Sequence, residues 1–232
     1  SWPEANEDML AHLSVRYSIP RWILEMWEKA YGLEMTKRFA RNLTIPRDLS
    51  LRCNTLRTDP ETLYQDLVKE LGEGTVGRGH VCAEALTCKK SGDISHWEAF
   101  RRGHVIVQDE SSMLTVYALD PQPGERVLDL CAAPGGKSTH MVQRMQNQGL
   151  VESRDLYDHK LGQIRENANR LGCTILETKR SDASRAYAED REAWDRVLLD
   201  APCSGLGIIR NKPDLKLHRK PEDVESLAAL HR

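Results

Sequence analysis

Val127-Leu128-Asp129-Leu130-Cys131-Ala132-Ala133-Pro134-Gly135-Gly136-Lys137-Ser138 is the stretch on which the fold turns. Val127 to Leu130 is a short apolar run that follows the Pro123-Gly124 turn and reads as a buried strand. The Gly135-Gly136 pair is a loop that opens a helix expected over 137–148. Working outward, a second strand is expected over 150–155, a helix over 158–171, a third strand over 174–179 and a fourth over 196–200. Short strands and longer helices in alternation predict a parallel doubly wound sheet. Ligands bind such sheets at the carboxyl ends of the strands.

Upstream the pattern is different. The first forty or so residues read helical: Ser18 is expected to cap a helix with Pro20 in its first turn. Trp22/Ile23, Met26/Trp27 and Ala30/Tyr31 then recur at helical spacing until Gly32, as core rather than as a base-stacking platform. A strand is expected over 51–56, and Thr58-Asp59-Pro60-Glu61 supplies the start of a helix carrying Leu63, Leu67 and Leu71. Gly103 to Val107 is a further strand candidate, running into the polar helix start Gln108 to Ser112. Three divisions follow: a helical segment over 1–45, a small α+β module over 46–115, and the doubly wound sheet over 116–232.

The chain has 232 residues, 40% hydrophobic and 29% charged, which suits a folded globular protein. No run approaches the ~18 apolar residues of a membrane span, and Ser1-Trp2-Pro3-Glu4 has no basic or apolar leader character. Six cysteines without a C-x-x-C pair suit reduced thiols in cytoplasm better than disulfides or a structural metal. A net charge of −2 hides two basic stretches. Lys37, Arg38, Arg41, Arg47, Arg52 and Arg57 stand against Asp48, and Arg210, Lys212, Lys216, Arg219 and Lys220 against Asp214. Either is read as a solvated face or as part of a track for a polyanion.

The strand ends carry the chemistry. Asp129 to Ser138 follows the first strand, Asp155 ends the second, Ser181-Asp182 follows the third, and Asp200-Ala201-Pro202-Cys203-Ser204-Gly205 follows the fourth. Cys131 to Ser138 matches a phosphate-binding G-x-x-x-x-G-K-S loop except at its first glycine, and Pro134 removes an N–H that a phosphate cradle needs. A dinucleotide is disfavoured, because G-x-G-x-x-G is absent. A nucleoside ligand without pyrophosphate, such as S-adenosylmethionine, accounts for every acid: Asp155 on the ribose hydroxyls, Asp182 at the adenine edge, the glycine turn at the methionine end.

Leu128 to Ser138, Asp155 followed by Lys160-Leu161, Ser181-Asp182 and Asp200 to Gly205 resemble, in order and spacing, the Nop/Sun family of RNA cytosine-C5 methyltransferases. Arg16 to Trp22, Leu51 to Leu56, Val107 to Ser111 and Gly207 to Lys216 are similar to its bacterial Sun/Fmu branch. The resemblance implies an α/β fold: a Rossmann-like S-adenosylmethionine-dependent methyltransferase sheet without its last strands, with a small N-terminal α+β RNA-binding module. It also implies a remnant of an N-terminal RNA-binding region over 1–45. It implies S-adenosylmethionine as cofactor, held by Cys131, Ala132, Ala133, Pro134, Gly135, Gly136, Lys137, Asp155, Asp182 and Asp200.

The implied reaction forms 5-methylcytosine in 16S ribosomal RNA, unassembled or partly assembled, through a covalent cysteine–cytosine adduct; a tRNA substrate is the alternative. Asp200 is the candidate acid near the base N3. In the family the attacking thiol belongs to a Thr-Cys pair on a later strand, and the Pro-Cys cysteine, Cys203 here, assists breakdown of the adduct. No Thr-Cys follows Cys203 in this sequence, and Thr87-Cys88 does not match the family position. The chain is therefore expected to end short of the family's catalytic domain, with the fourth-strand edge uncovered. An RNA- and cofactor-binding chain without turnover stays open as a reading. Arg210, Lys212 and Lys216 are the candidate RNA contacts, in a cytoplasmic monomer without metal or membrane.

Overall fold

The computed structural model describes residues 3–4, 7–45, 47–89, 92–210 and 212–230. Ser1, Trp2 and Asn211, which figure in the sequence reading, lie outside that set. The chain divides into two compact units, 1–47 with 202–232 and 48–201.

In the first unit, α1 (Met9–Tyr17), α2 (Arg21–Tyr31) and α3 (Leu33–Asn42) follow one another closely. Asp8 caps α1 by accepting from the Ala11 N–H at 2.9 Å. Ser18 does not cap α2 as expected. It ends α1 in the left-handed conformation at φ 50°, and α2 starts after Pro20 with no side-chain cap. Ile23 and Leu24 join Leu10, Leu13, Ala40 and Ile209 in one core, with Trp22 and Trp27 packed against it. Tyr31 is exposed.

The second unit begins with β1 (Leu49–Cys53), α4 (Pro60–Leu71), β2 (Val76–Arg78), β3 (Ala85–Cys88), α5 (Glu98–Arg101) and β4 (Val105–Val107). The four strands form an antiparallel sheet in the order β2-β3-β1-β4. β1 stops three residues earlier than the alternation predicts because Asn54 spends its side chain on backbone, donating to Gly103 O at 2.7 Å and Leu171 O at 2.8 Å. Asp59 is the cap of α4, accepting from the Glu61 and Thr62 N–H groups. The hairpin of β2 and β3 was not anticipated.

After α6 (Glu110–Leu119) come β5 (Arg126–Asp129), α7 (Gly136–Arg144), β6 (Leu150–Asp155), α8 (Asp158–Leu171), β7 (Leu176–Arg180) and β8 (Arg196–Leu198). The sheet order is β7-β6-β5-β8, parallel throughout. The expected division at 115/116 falls within α6 and inside this unit. α7 is shorter than expected, because Gln146 and Asn147 take positive φ and turn the chain. β8 is an edge strand with β5 as its neighbour, and Val197 and Leu199 stand about half exposed, at 49% and 56%.

Ser138 to Gln143 of α7 are all buried, so this stretch is enclosed on every side, and its polar side chains each find a partner inside, although His140 Nδ1 and Gln143 Oε1 have none among the described residues. Arg52 of β1 donates to Gly136 O at 2.8 Å and Thr139 Oγ1 at 3.0 Å. Gln143 donates to Cys53 O at 3.0 Å. His140 Nε2 lies 2.8 Å from Glu84, whose other oxygen accepts from the Tyr117 hydroxyl at 2.6 Å. Burial pushes His140 down to about 4. Burial opposes ionisation of Glu84, yet hydrogen bonds from His140 and Tyr117 hold it down to about 2. A neutral imidazole therefore donates to a carboxylate, and both sheets are tied to one helix.

The chain returns to the first unit at Pro202, adding α9 (Leu215–His218) and α10 (Pro221–Leu230). Among the described residues no helix is long and apolar enough to cross a membrane.

Candidate cofactor and substrate site

Strand register sets the rim. Asp129, the last residue of β5, pairs with Ser153 and Leu198, and Asp155, the last of β6, pairs with Arg180. Asp155 and Asp200 therefore project two residues beyond Asp129, and Asp182 two beyond Asp155. Each parallel strand delivers one aspartate to the same carboxyl edge, in the spatial order 182, 155, 129, 200.

A cleft at this edge is lined by Asp129, Cys131, Ala132, Ala133, Pro134, Gly136, Lys137 and Asp200 from the strand ends, and by Val107, Gln108, Asp109 and Ser112 from the other side. Lys137 Nζ lies 2.6 Å from Asp200 Oδ2, so the lysine is held by a carboxylate of the rim. Asp129 opens the strand-end stretch named in the sequence but was given no role there, although it lies only six residues before the glycine turn. It is buried, accepts from Ser138 Oγ at 2.6 Å, and burial pushes it up to about 6. Burial, with the charges of Asp155, Asp129 and Asp200, also raises Cys131, which keeps it a thiol rather than a nucleophilic thiolate.

Asp155 and Asp182 stand on the rim without lining this cleft. Asp155 is buried, accepts from the Tyr157 N–H at 3.2 Å and has Lys160 Nζ at 3.5 Å. Asp182 accepts from the Ser184 N–H at 3.0 Å and Oγ at 2.7 Å, bonds that hold its carboxyl below the usual range, with Arg185 at 3.3 Å. Gly135 sits at φ 96°, and a Cβ there would stand 3.3 Å from Ile164 Cα. Only glycine lets the turn lie this close to α8. The donor set suits an amino-acid nucleoside: carboxylates for sugar and ammonium, and peptide N–H groups at a helix start for a carboxylate.

Cys203 belongs to the other unit and is exposed. Cys88 is buried in β3, within the core of the antiparallel sheet, which disqualifies Thr87-Cys88 as an attacking pair. The basic stretches divide. Arg52 is fully buried and faces no polyanion. Arg57 donates to Leu171 O at 3.2 Å, Arg210 to Ile45 O at 2.9 Å and Lys216 to Tyr17 O at 3.1 Å. Lys212 is exposed.

A family model described as 16S rRNA methyltransferase RsmB/F matches residues 116–232, and one described as Methyltr_RsmF/B-like, ferredoxin-like domain matches residues 19–95. The probable ribosomal RNA small subunit methyltransferase B of Bacillus subtilis is 42% identical over 98% of this chain and 50% of its own length. The human 28S rRNA (cytosine(4447)-C(5))-methyltransferase is 34% identical over 95% of this chain and 27% of its own. The crystal structure of a methyltransferase homolog protein from Pyrococcus horikoshii superposes with a TM-score of 0.76 at 28% identity, over 94% of this chain and 68% of that one. The chain spans about half the length of the bacterial relatives it matches.

Proposed function

The chain belongs to the 16S rRNA methyltransferase RsmB/F family, and we propose from that footing that it takes part in methylating C5 of a cytosine in 16S ribosomal RNA, with S-adenosylmethionine as methyl donor. The observation that carries the reading is the rim: four parallel strands, each delivering an aspartate, beside a glycine turn that packs against α8. When bound, the donor supplies an electrophilic sulfonium methyl group. Asp155 and Asp182 hold its nucleoside and residues 131–137 its amino-acid end. Asp200, kept at the cleft by Lys137, is the acid for the base N3, where a proton must be held while the ring loses aromaticity. Cys203, three residues further along the chain, assists release of the base from a covalent cysteine adduct. Lys212 leads the RNA contacts, with residues 46–115 as a second RNA-binding surface, in a cytoplasmic monomer.

Calorimetric titration with S-adenosylmethionine tests the cofactor. We expect saturable binding by the intact chain and at least about tenfold weaker binding by Asp155→Ala, the size of a lost charge-assisted hydrogen bond. No heat from the intact chain overturns the reading. Tritium transfer from the labelled donor to 16S ribosomal RNA, with tRNA as the competing substrate, tests the acceptor.

A further inference from the structure

Gln108 closes one side of the rim cleft, and only half of its amide is used inside the protein. Its Oε1 accepts a hydrogen bond from Arg52 Nη1. A guanidinium has no acceptor, so the oxygen is the end that faces it and Nε2 is turned the other way. Gln108 is 7% exposed, and Nε2 is a buried donor without a partner among the described residues. Such a group costs free energy until something accepts from it.

The same side chain lines the cleft with Asp129, Gly136, Lys137 and Asp200. Its amide carbon stands 3.9 Å from where a Cβ of Gly136 would lie, at the first turn of α7. Arg52, behind it, is fully buried and forms no direct ion pair among the described residues, with the Glu84 carboxylate acting on it only through space, so a positive charge backs this end of the cleft. Helix start, buried guanidinium and N–H donor all favour an anionic acceptor.

We propose that the Gln108 Nε2–H group holds the carboxylate of the methionine moiety of S-adenosylmethionine, an inference that rests on the cofactor reading above and adds a positioning residue to it. The amino-acid end of that molecule offers an ammonium, which only donates, and a carboxylate, which only accepts. Gln108 has only a donor left, so it selects the carboxylate, while Asp129 and Asp200 on the facing wall suit the ammonium.

The test pairs S-adenosylmethionine with its decarboxylated form in calorimetric titrations. Gln108→Glu keeps the shape and the oxygen that Arg52 needs and replaces the N–H with a second carboxylate oxygen. We expect affinity for S-adenosylmethionine to fall at least about tenfold and affinity for the decarboxylated form to stay within about twofold. Gln108→Met, which removes the donor without adding charge, should show the same discrimination at a smaller size, and a thermal melt of each variant reports whether the fold is kept. Equal weakening of both ligands, or no change for S-adenosylmethionine, overturns the proposal while leaving the cofactor reading standing. Failure of the unsubstituted chain to bind either ligand overturns the cofactor reading, and this inference with it.

Discussion

Ser138 Oγ donates to Asp129 Oδ2 across 2.6 Å, and both residues are at most 1% exposed at the foot of the rim cleft. Burial pushes Asp129 up to about 6, whereas the same carboxyl in an unfolded chain titrates near ~3.9. Above pH 6 the folded chain therefore carries the full cost of a buried carboxylate. As the pH falls from 6 towards 4, the folded state takes up a proton that the unfolded state does not, and the cost is relieved. Asp129→Asn keeps an acceptor for Ser138 and removes the charge. It should be more stable than the parent at pH 8 by about 2–3 kcal/mol, with the advantage vanishing near pH 4. Urea unfolding at pH 8, 6 and 4.5 checks this; a pH-independent difference would contradict it.

Gly135 and Gly162 should respond to alanine in opposite directions. Gly135 lies at φ 96° with Ile164 Cα 3.3 Å from a built Cβ, whereas Gly162 lies within α8 with open space around it. Gly135→Ala should cost about 1–3 kcal/mol and weaken S-adenosylmethionine. Gly162→Ala should gain about 0.5–1 kcal/mol. Melting temperatures decide, and a shift of the same sign for both would refute the assignment of strain to the turn.

Arg52 ties the antiparallel sheet to the helix that follows the glycine turn, through Gly136 O, Thr139 Oγ1 and Gln108 Oε1. Arg52→Met keeps the apolar length and leaves the Gly136 carbonyl and the Gln108 oxygen buried without this donor. We expect a loss of about 2–4 kcal/mol, read as a lower urea midpoint at constant slope. A neutral result would mean that the guanidinium contributes nothing net.

This arginine also shows where sequence reading stops. The parallel sheet was legible because short strand segments alternate with longer helical ones and glycine marks the stop of α8: 150–155 and 158–171 are found where expected. The hairpin of β2 and β3 was not, because Val76–Arg78 is too short to show alternation and contains a glycine. Arg52 was counted into a basic run because charge in sequence says nothing about which face a strand buries. Gln108 and Asp129 were named in the sequence without a functional role for a related reason. Their significance lies in which side-chain atom is left without a partner and how deeply a carboxyl is enclosed, and both depend on residues more than fifty positions away or across the sheet.

The cysteines should separate by alkylation. Cys203 is exposed, Cys53, Cys82, Cys88 and Cys173 are buried, and Cys131 is half-buried, its thiol raised by burial and three rim carboxylates. Iodoacetamide at pH 7.5 should therefore label Cys203 first, as read by peptide mass spectrometry, and Cys203→Ser should remove the fast phase without changing S-adenosylmethionine affinity. First labelling at Cys131 would show that the turn opens far more than its packing allows.

Among the basic candidates after the Pro-Cys loop, the three side chains should behave differently towards RNA. Lys216 is partly desolvated, which lowers its ammonium below the usual lysine range, and it donates to Tyr17 O at 3.1 Å. Arg210 donates to Ile45 O at 2.9 Å. Both have structural work within their own unit, while the Lys212 side chain is exposed. A lysine that neutralises one phosphate adds about 0.9 to the slope of log affinity against log salt on a duplex and about 0.7 on a single strand. Lys212→Gln should therefore flatten the slope for 16S ribosomal RNA by about 1 and leave the melting temperature unchanged. Lys216→Gln should lower the melting temperature and leave the slope within error. Filter binding from 50 to 300 mM salt separates them: an unchanged slope for Lys212→Gln would remove this loop from the RNA path, and a flattened slope for Lys216→Gln would mean that its hold on Tyr17 gives way when RNA arrives.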